Sequence, residues 1–146
     1  MLSGHRSRTI DAPMATVLAV LADVGNYPDW HPFFERVEPT RRDAEGRVIG
    51  ADCRHNASVT TLRTSLEFVH AERSVTARRV SGDLRDLEGV FEVSEQGDAT
   101  IVTHRLRVDP GVKLGLLLRG PVEERVRGRV IDGALDGLAA SVAERA

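Results

Sequence analysis

Hydrophobic and polar positions alternate along the middle of the chain, and this pattern predicts β-strands. Six stretches show a period of two, which is typical of strands: residues 35–43, 47–59, 62–72, 74–82, 84–98 and 99–111. Residues 5–11 are short and only partly alternating, and we interpret them as a further strand. Residues that favour turns separate these stretches, which indicates an antiparallel meander.

Two other stretches repeat their apolar side chains at helical spacing. The first covers residues 11–25, where Asp11 is the predicted N-cap, Pro13 lies near the first turn and Gly25 is the predicted stop. The second begins at Pro121 and runs to the end of the chain. Its apolar stripe consists of Val122, Val126, Val130, Ala134, Leu138 and Val142, widened by Ile131 and Leu135.

This order of elements predicts an α+β fold. A long antiparallel sheet needs a cover for its apolar face, and only the last helix is long enough to provide it. We therefore expect a curved antiparallel sheet of about six to seven strands, wrapped round a long C-terminal α-helix, with two short helices after strand 1. Residues 112–120 are predicted to form an apolar turn or a short helix. The inward strand faces are predicted to carry Ile49, Ala51, Cys53, His55, Ala57, Val59, Leu62, Leu66, Phe68, His70, Leu87, Phe91, Val93, Val102, His104, Leu106 and Val108.

Four of the six Phe, Tyr and Trp side chains fall in one segment, NYPDWHPFF at residues 26–34. Its two prolines each restrict the residue before them, so we expect no more than a single short turn around Asp29–Trp30. The rings of Trp30, Phe33 and Phe34 would either form the apolar rim of a cavity or plug one end of the core. Cavities and cores are lined by the same residue types, so both interpretations stay open.

Length, net charge and cysteine count exclude several classes of protein. At 146 residues the chain has the length of one domain, and we expect a single domain over residues 1–146. With 20 basic and 22 acidic side chains, the formal net charge is −2, so the basic excess typical of nucleic-acid binding is missing. The single cysteine, Cys53, excludes an internal disulfide and a CxxC metal site. The absence of a possible disulfide favours a cytoplasmic location, since the cytoplasm is reducing.

The N-terminal region imitates a signal peptide, because the basic HRSR precedes an apolar run. However, Asp11 and Pro13 interrupt the junction and the run over residues 15–22 is short, so we favour the helix interpretation. The longest other apolar run, LGLLL at residues 114–118, falls far short of the about 20 residues that span a bilayer. We therefore expect no stable membrane insertion.

Three segments carry a resemblance to known proteins: IDAPMATV at residues 10–17, DVGNYPDW at 23–30 and GVFEVSEQGDATIVTHRLRV at 89–108. With the order of elements, they resemble the START-like (SRPBCC) superfamily of polyketide cyclase/dehydrase-like proteins, lipid-transfer domains and birch-pollen allergens. The likeness spans nearly the whole chain and is greatest for the small bacterial polyketide cyclase/dehydrase-like proteins. It implies a helix-grip fold with a deep apolar cavity between sheet and long helix, used to hold a hydrophobic small molecule.

The implied cavity would be lined by the aromatic segment, the inward strand faces and the C-terminal region. Arg119 is the best candidate to meet a ligand carboxylate or phosphate at the mouth of the cavity, and a surface role is the alternative. The candidate ligand-binding residues are Trp30, His31, Phe33, Phe34, His55, Leu66, Phe68, Leu87, Phe91, Leu106, Leu117, Arg119, Val126 and Val130.

Three histidines, His55, His70 and His104, lie on the more apolar face of their predicted strands. In one cavity they could act as acid/base groups or donate hydrogen bonds to a ligand carbonyl, and His70 and His104 are the candidate catalytic pair. They come from separate strands without HxH or HxxxH spacing, so we expect no metal site. The alternatives are that each is satisfied by a neighbour in the core or lies on the outer face. A Cys53–His55 nucleophile pair is a further hypothesis, set against Cys53 as a small buried hydrophobe.

The sequence leaves three functions open. The first is a carrier or sensor of a lipid-like or polyketide-like molecule, which needs an apolar cavity and a few polar anchors. The second is an aldol cyclase or dehydratase, which needs a base, an acid and a cavity that folds the substrate. The third is a protein-interaction module. An exposed apolar or basic patch would identify it, and the composition shows no basic excess. No cofactor motif occurs, so no cofactor is expected, and a homodimer is compatible with the sequence.

Overall fold

The computed structural model describes residues 2–117 and 119–145. Its helices are α1 (Met14–Ala22), α2 (Gly111–Leu117) and α3 (Pro121–Arg145), and a 3₁₀ helix covers Val24–Asp29. Residue 118, which belongs to the predicted apolar turn, lies outside the described residues. The strands of the described part are β1 (Leu2–Ile10), β2 (Phe34–Arg42), β3 (Val48–Asn56), β4 (Thr61–Ala71), β5 (Ser74–Gly82), β6 (Asp86–Gln96) and β7 (Ala99–Asp109).

These strands form one antiparallel sheet with the order β1–β7–β6–β5–β4–β3–β2. From β2 to β7 each strand pairs with its neighbour in sequence, and β1 pairs with β7 at the other edge. The curved sheet wraps α3, which lies against β1, β7 and α1. The predicted α+β helix-grip fold is therefore confirmed, including the two short helices after β1. Among the described residues, no helix combines the length and the apolarity needed to cross a membrane.

The hydrophobic pattern places most core residues correctly. Seven of the eight predicted residues of the α3 stripe are buried, and Val122 at its start is half-buried. On the strands, Ile49 and His70 are half-buried, and Val59 is exposed, with 48% of its side chain accessible. The reason is that β3 ends at Asn56 and the N–H of Ala57 donates to the carbonyl of Thr60, which closes a turn.

The start of α1 differs from the prediction. The helix begins at Met14, and Pro13 occupies the N-cap position with an extended backbone (φ −63°, ψ 149°) and no side-chain cap. Asp11 is therefore not the N-cap, because the extended Pro13 separates it from the first turn. The carbonyl of Pro13 accepts the N–H groups of Thr16 and Val17 and so begins the helix.

The predicted stop at Gly25 and the turn around Asp29–Trp30 are also displaced towards the N-terminus. α1 already ends at Ala22, and Gly25 lies inside the 3₁₀ helix Val24–Asp29. Trp30 follows that helix, and its N–H donates to the carbonyl of Tyr27. A short 3₁₀ helix tolerates the internal proline because only one backbone donor is lost.

Candidate functional site

Two small cavities lie between the sheet and α3. The larger has a volume of about 30 Å³ and the smaller about 10 Å³. Because a cavity needs about 10–15 Å³ on this scale to hold one water, the larger one has room for about two waters. The wall of the larger cavity consists of Tyr27, His31, Phe33, Phe34, Val75, Ala77, Leu87, Gly89, Phe91, His104, Leu106 and Val130.

Three side chains separate the two cavities. Phe33, Leu106 and Val130 line both of them, from the aromatic segment, β7 and α3 respectively. The smaller cavity continues towards Leu84 and Val126. A movement of the Phe33 ring would therefore join the two spaces into one.

The aromatic segment fills the interior beside the larger cavity. Its rings are all buried, and the Tyr27 ring meets Trp30 edge to face with centroids 5.0 Å apart. The hydroxyl of Tyr27 donates to the carbonyl of Leu21 at 2.6 Å, which ties the segment to the end of α1. Phe33 and Phe34 line the cavity wall. The segment thus closes one end of the core and supplies part of the wall.

His31 lies at the centre of this cluster. Its ring is 4.8 Å from that of Phe34 and 6.1 Å from those of Phe91 and His104, measured between centroids. Its Nδ1 accepts the backbone N–H of Phe33 at 3.3 Å. Burial, together with the two neighbouring buried histidines, holds the pKa of His31 well below its ordinary value, so the ring is neutral at pH 7.

His104 of β7 forms the opposite wall. Its ring stacks on Phe91, with centroids 4.1 Å apart and planes within 7°. Its Nε2 would lie 3.9 Å from a β-carbon placed on Gly89, so this nitrogen points towards the glycine in the cavity wall. Its Nδ1 is buried and has no partner at hydrogen-bond geometry among the described residues. Burial lowers the pKa of His104 to about 4, and the nearby backbone of Ile131 opposes this shift only in part.

His55 of β3 belongs to the same cluster but not to the wall of the larger cavity. Its ring stacks on Phe33 with centroids 4.3 Å apart. Its Nε2 and the hydroxyl of Thr64 are 2.7 Å apart and share a hydrogen bond. Burial lowers the pKa of His55 to about 4. The ring is thus a neutral core group held by a neighbour.

The described residues that line the larger cavity carry no ionised group. They include no Asp, Glu, Lys or Arg, and the two histidines among them are neutral at pH 7. Within residues 2–117 and 119–145, no three His, Cys, Asp or Glu side chains come together as metal ligands would. Nearby Cys53 is buried, which raises the pKa of its thiol to about 12, and so it is no thiolate nucleophile at pH 7.

Comparison with known families decides the classification. The sequence model for "Polyketide cyclase / dehydrase and lipid transport" proteins matches residues 1–143. The chain belongs to this family. No curated protein shows significant sequence similarity to it.

Solved structures agree with the fold of this polyketide cyclase/dehydrase and lipid transport family. A START superfamily protein from Mycobacterium smegmatis has a TM-score of 0.84 at 17% identity, with 99% of both chains covered. A protein from Thermus thermophilus has a TM-score of 0.82 at 21% identity, also with 99% of both chains covered. The Zhui aromatase/cyclase from Streptomyces sp. R1128 has a TM-score of 0.67 at 18% identity, covering 98% of this chain and 94% of that chain.

In this family member, the structure brings together only part of the predicted site. Trp30, Leu66 and Phe68 are buried in the core without lining either cavity, and His55 is held as described above. The larger cavity is lined by seven of the predicted ligand-binding residues, and Val126 lines the smaller one. Those seven are His31, Phe33, Phe34, Leu87, Phe91, Leu106 and Val130.

Leu117 and Arg119 lie away from both cavities. Leu117 is 52% exposed at the end of α2, and Arg119 is exposed in the connection to α3. The chain leaves the sheet at Asp109, and α2 buries none of its residues fully: Leu114 packs against the core, whereas Val112 and Leu116 are exposed. Arg119 therefore has the surface position that the sequence left open as the alternative, and it does not line either cavity.

The structure does not place His70 beside His104, its predicted catalytic partner. It is half-buried near the far end of β4, and its Nε2 donates to the carbonyl of Val48 at 2.7 Å. It lines an open groove with Asp43 and Arg47, apart from the interior cavities. The histidine that shares the cavity wall with His104 is His31.

Four cavity residues escaped the sequence prediction: Tyr27, Val75, Ala77 and Gly89. The alternation along β5 left its inward face open, although Val75 and Ala77 stand two residues apart. Gly89 carries no side chain and so gives no apolar signal. Its register partner across the strands is Ala77, and two small residues facing each other leave the space that the cavity occupies.

Proposed function

We propose that this protein binds an apolar small molecule between its sheet and α3. The observation that carries the proposal is the enclosed cavity, whose wall is aliphatic and aromatic with two neutral imidazoles. Small-molecule sites are typically apolar and concave, with a few polar groups that fix the orientation of the ligand. Membership of a family described by lipid transport and polyketide chemistry supports the same function.

The size of the cavity implies that the wall moves when a ligand enters. A volume of about 30 Å³ has room for about two waters, and small-molecule sites usually measure about 300–1,000 Å³. Phe33 is the largest of the three side chains that line both cavities, so its displacement would join them and free the volume of a ring. We therefore expect ligand entry to be coupled to a rearrangement of the Phe33 ring.

Variants whose side chains fill the larger cavity test this proposal. Gly89→Val places two methyl groups into the cavity, and a β-carbon at this position has only ordinary contacts of 3.8 and 3.9 Å. Gly128→Ala is the control, because a β-carbon there has no neighbour within 4 Å. We expect ethylbenzene, titrated by saturation-transfer NMR, to bind the wild type and the control equally and Gly89→Val at least tenfold more weakly.

Ala77→Val fills the same space from β5 and guards against a folding defect in the first variant. Circular dichroism would show that both variants are folded. Equal affinity for ethylbenzene in all four proteins, or no binding to the wild type, would overturn the proposal. Native mass spectrometry of gently purified protein, followed by solvent extraction, would then give the mass of any natural ligand.

Catalysis on such a ligand is a second candidate, favoured by the placement of His31 and His104. The two rings stand perpendicular across the cavity with centroids 6.1 Å apart, where they could move a proton of a bound ketone. A direct test is deuterium exchange at the methyl group of acetophenone in D₂O, followed by NMR. If the wild type exchanges faster than the protein-free sample and His104→Phe loses this excess, catalysis is supported. If the wild type exchanges only at the protein-free rate, catalysis is refuted and the binding function remains.

A further inference from the structure

The hydrogen bond to Nδ1 of His31 fixes where the ring carries its proton. Nδ1 accepts the N–H of Phe33 at 3.3 Å, so it holds a lone pair there. A neutral imidazole has one N–H, and with Nδ1 as the acceptor that N–H must be at Nε2. The ring therefore presents a hydrogen-bond donor.

This donor is available to a ligand. His31 lines the larger cavity, and none of the hydrogen bonds in the described part of the chain engages its Nε2. Across the cavity, Nε2 of His104 points towards Gly89, and Nδ1 of the same ring is buried without a partner at hydrogen-bond geometry. Buried polar groups are normally paired, so the Nε2–H of His31, which has no protein partner among the described hydrogen bonds, favours a ligand that offers it an acceptor.

The charge of the wall limits what that atom can be. None of the described wall residues is a cation, so a carboxylate or phosphate placed among them would be buried without a counter-charge, which is costly. A carbonyl oxygen needs only a donor and carries no net charge. The donor at His31 matches a carbonyl oxygen, whereas a saturated hydrocarbon would leave it unpaired.

We propose that the ligand is an uncharged apolar molecule with a carbonyl group, whose oxygen accepts a hydrogen bond from Nε2–H of His31. The inference rests on the proposed binding function and names its ligand class. It makes His31 the residue that determines specificity, in place of the exposed Arg119, which the sequence offered as a candidate for a ligand carboxylate or phosphate.

Three probes of nearly equal size separate the possibilities: acetophenone, ethylbenzene and benzoate. They share the phenyl ring and differ in offering a carbonyl, no oxygen, or a carboxylate. Affinities would be measured by saturation-transfer NMR at pH 7 on the full chain. For the wild type we expect acetophenone to bind at least 100-fold more tightly than benzoate, since only benzoate brings a charge into the cavity.

Substitution of His31 tests the hydrogen bond. His31→Phe keeps a flat ring and removes the donor at Nε2 together with the Nδ1 that accepts the N–H of Phe33, whereas His31→Gln keeps an N–H₂ group near the position of Nε2. We expect His31→Phe to weaken acetophenone about five- to tenfold, as one neutral hydrogen bond is lost, and to change ethylbenzene less than twofold. His31→Gln should recover most of the acetophenone affinity.

The outcomes distinguish the two proposals. If ethylbenzene binds but His31→Phe weakens both neutral probes equally, the hydrogen bond to His31 is refuted and the apolar site stands. Benzoate binding as tightly as acetophenone would overturn the uncharged ligand class, again without touching the site. If none of the three probes binds the wild type, both proposals fail.

Discussion

The carbonyl group of Trp30 occupies the space that a β-carbon on Gly137 would need. One turn earlier on α3, a β-carbon on Gly133 would lie 3.1 Å from the ring of Pro32. The backbone of the aromatic segment therefore lies directly on the helix, and this contact holds His31 between α3 and the sheet. The position of His31 in the cavity wall therefore depends on two positions of α3 that have no side chain.

The first prediction concerns Gly137→Ala. Alanine favours a helix by about 1 kcal/mol over glycine, but here its methyl group would collide with backbone, which cannot rotate away. We expect the collision to dominate and the free energy of unfolding to fall by about 1–3 kcal/mol, as in other overpacked sites. Urea unfolding followed by circular dichroism measures the change.

Gly128→Ala is the matched control on the same helix. A β-carbon at Gly128 has no neighbour within 4 Å, so only the helix preference acts. We expect the free energy of unfolding to rise by about 0.5–1 kcal/mol. If both variants change stability in the same direction, residues 30–32 do not lie on α3 as described.

Alternation and helical period were sufficient to predict the sheet and α3. β5 begins at Ser74 and ends at Gly82, the bounds that the sequence predicted, because clear polar and glycine breaks surround it. The region from Asp11 to Trp30 was harder, because two prolines and a glycine leave several starts and stops open there. Contacts made by Pro13 and Tyr27 decide among them, and a local pattern does not contain those contacts.

The sequence predicts which strand residues of the candidate site face inward, but not which partners they bind there. The alternation correctly placed His55 and His104 inside. It could not show that Nε2 of His55 shares a hydrogen bond with the hydroxyl of Thr64 on the next strand. Nor could it show that Nε2 of His70 donates a hydrogen bond to the carbonyl of Val48. Such pairings depend on neighbouring strands, and one sequence fixes a residue's face but not the partner that reaches it.

The second prediction concerns Phe33 as the partition between the cavities. Phe33→Ala should join the two cavities and add the volume of the lost ring, so that naphthalene, which is larger than ethylbenzene, can enter. We expect naphthalene to bind the variant at least tenfold more tightly than the wild type, by saturation-transfer NMR. The lost packing should cost about 3–5 kcal/mol of stability.

Phe33→Leu provides a graded control, because leucine retains much of the volume and should admit naphthalene poorly. The stability of the alanine variant should rise when naphthalene is added, since a ligand that binds only the folded state stabilises it. A variant that folds but binds naphthalene no better than the wild type would show that Phe33 does not separate the two spaces.

The third prediction tests the hydrogen bond between His55 and Thr64. Thr64→Val keeps the shape of the side chain but removes the hydroxyl that lies 2.7 Å from Nε2. The buried ring nitrogen would lose its partner, and we expect a loss of about 1–3 kcal/mol in urea unfolding. Thr64→Ser restores the hydroxyl and should recover most of that loss. Equal losses in both variants would point to packing in place of the hydrogen bond.

The last prediction follows from the burial of His55 and His104, which lowers the pKa of each from 6.5 to about 4. Between these values the unfolded chain binds a proton at each ring and the folded chain does not. Stability therefore rises with pH through this window and is lost as the pH falls from about 6.5 towards 4. The full shift corresponds to about 3 kcal/mol for each of the two histidines. His31, whose pKa is also lowered by burial, acts in the same direction.

Urea unfolding at pH 7, 6, 5 and 4.5, followed by the fluorescence of Trp30, measures this dependence. His104→Phe keeps the stack on Phe91 and removes one of the three titrating rings, so it should reduce the slope by about a third. Gly128→Ala, which changes no titrating side chain, is the control and should leave the slope of the curve unchanged. A wild-type curve that is flat between pH 7 and 4.5, or a slope unaffected by His104→Phe, would mean that the rings are not buried and neutral.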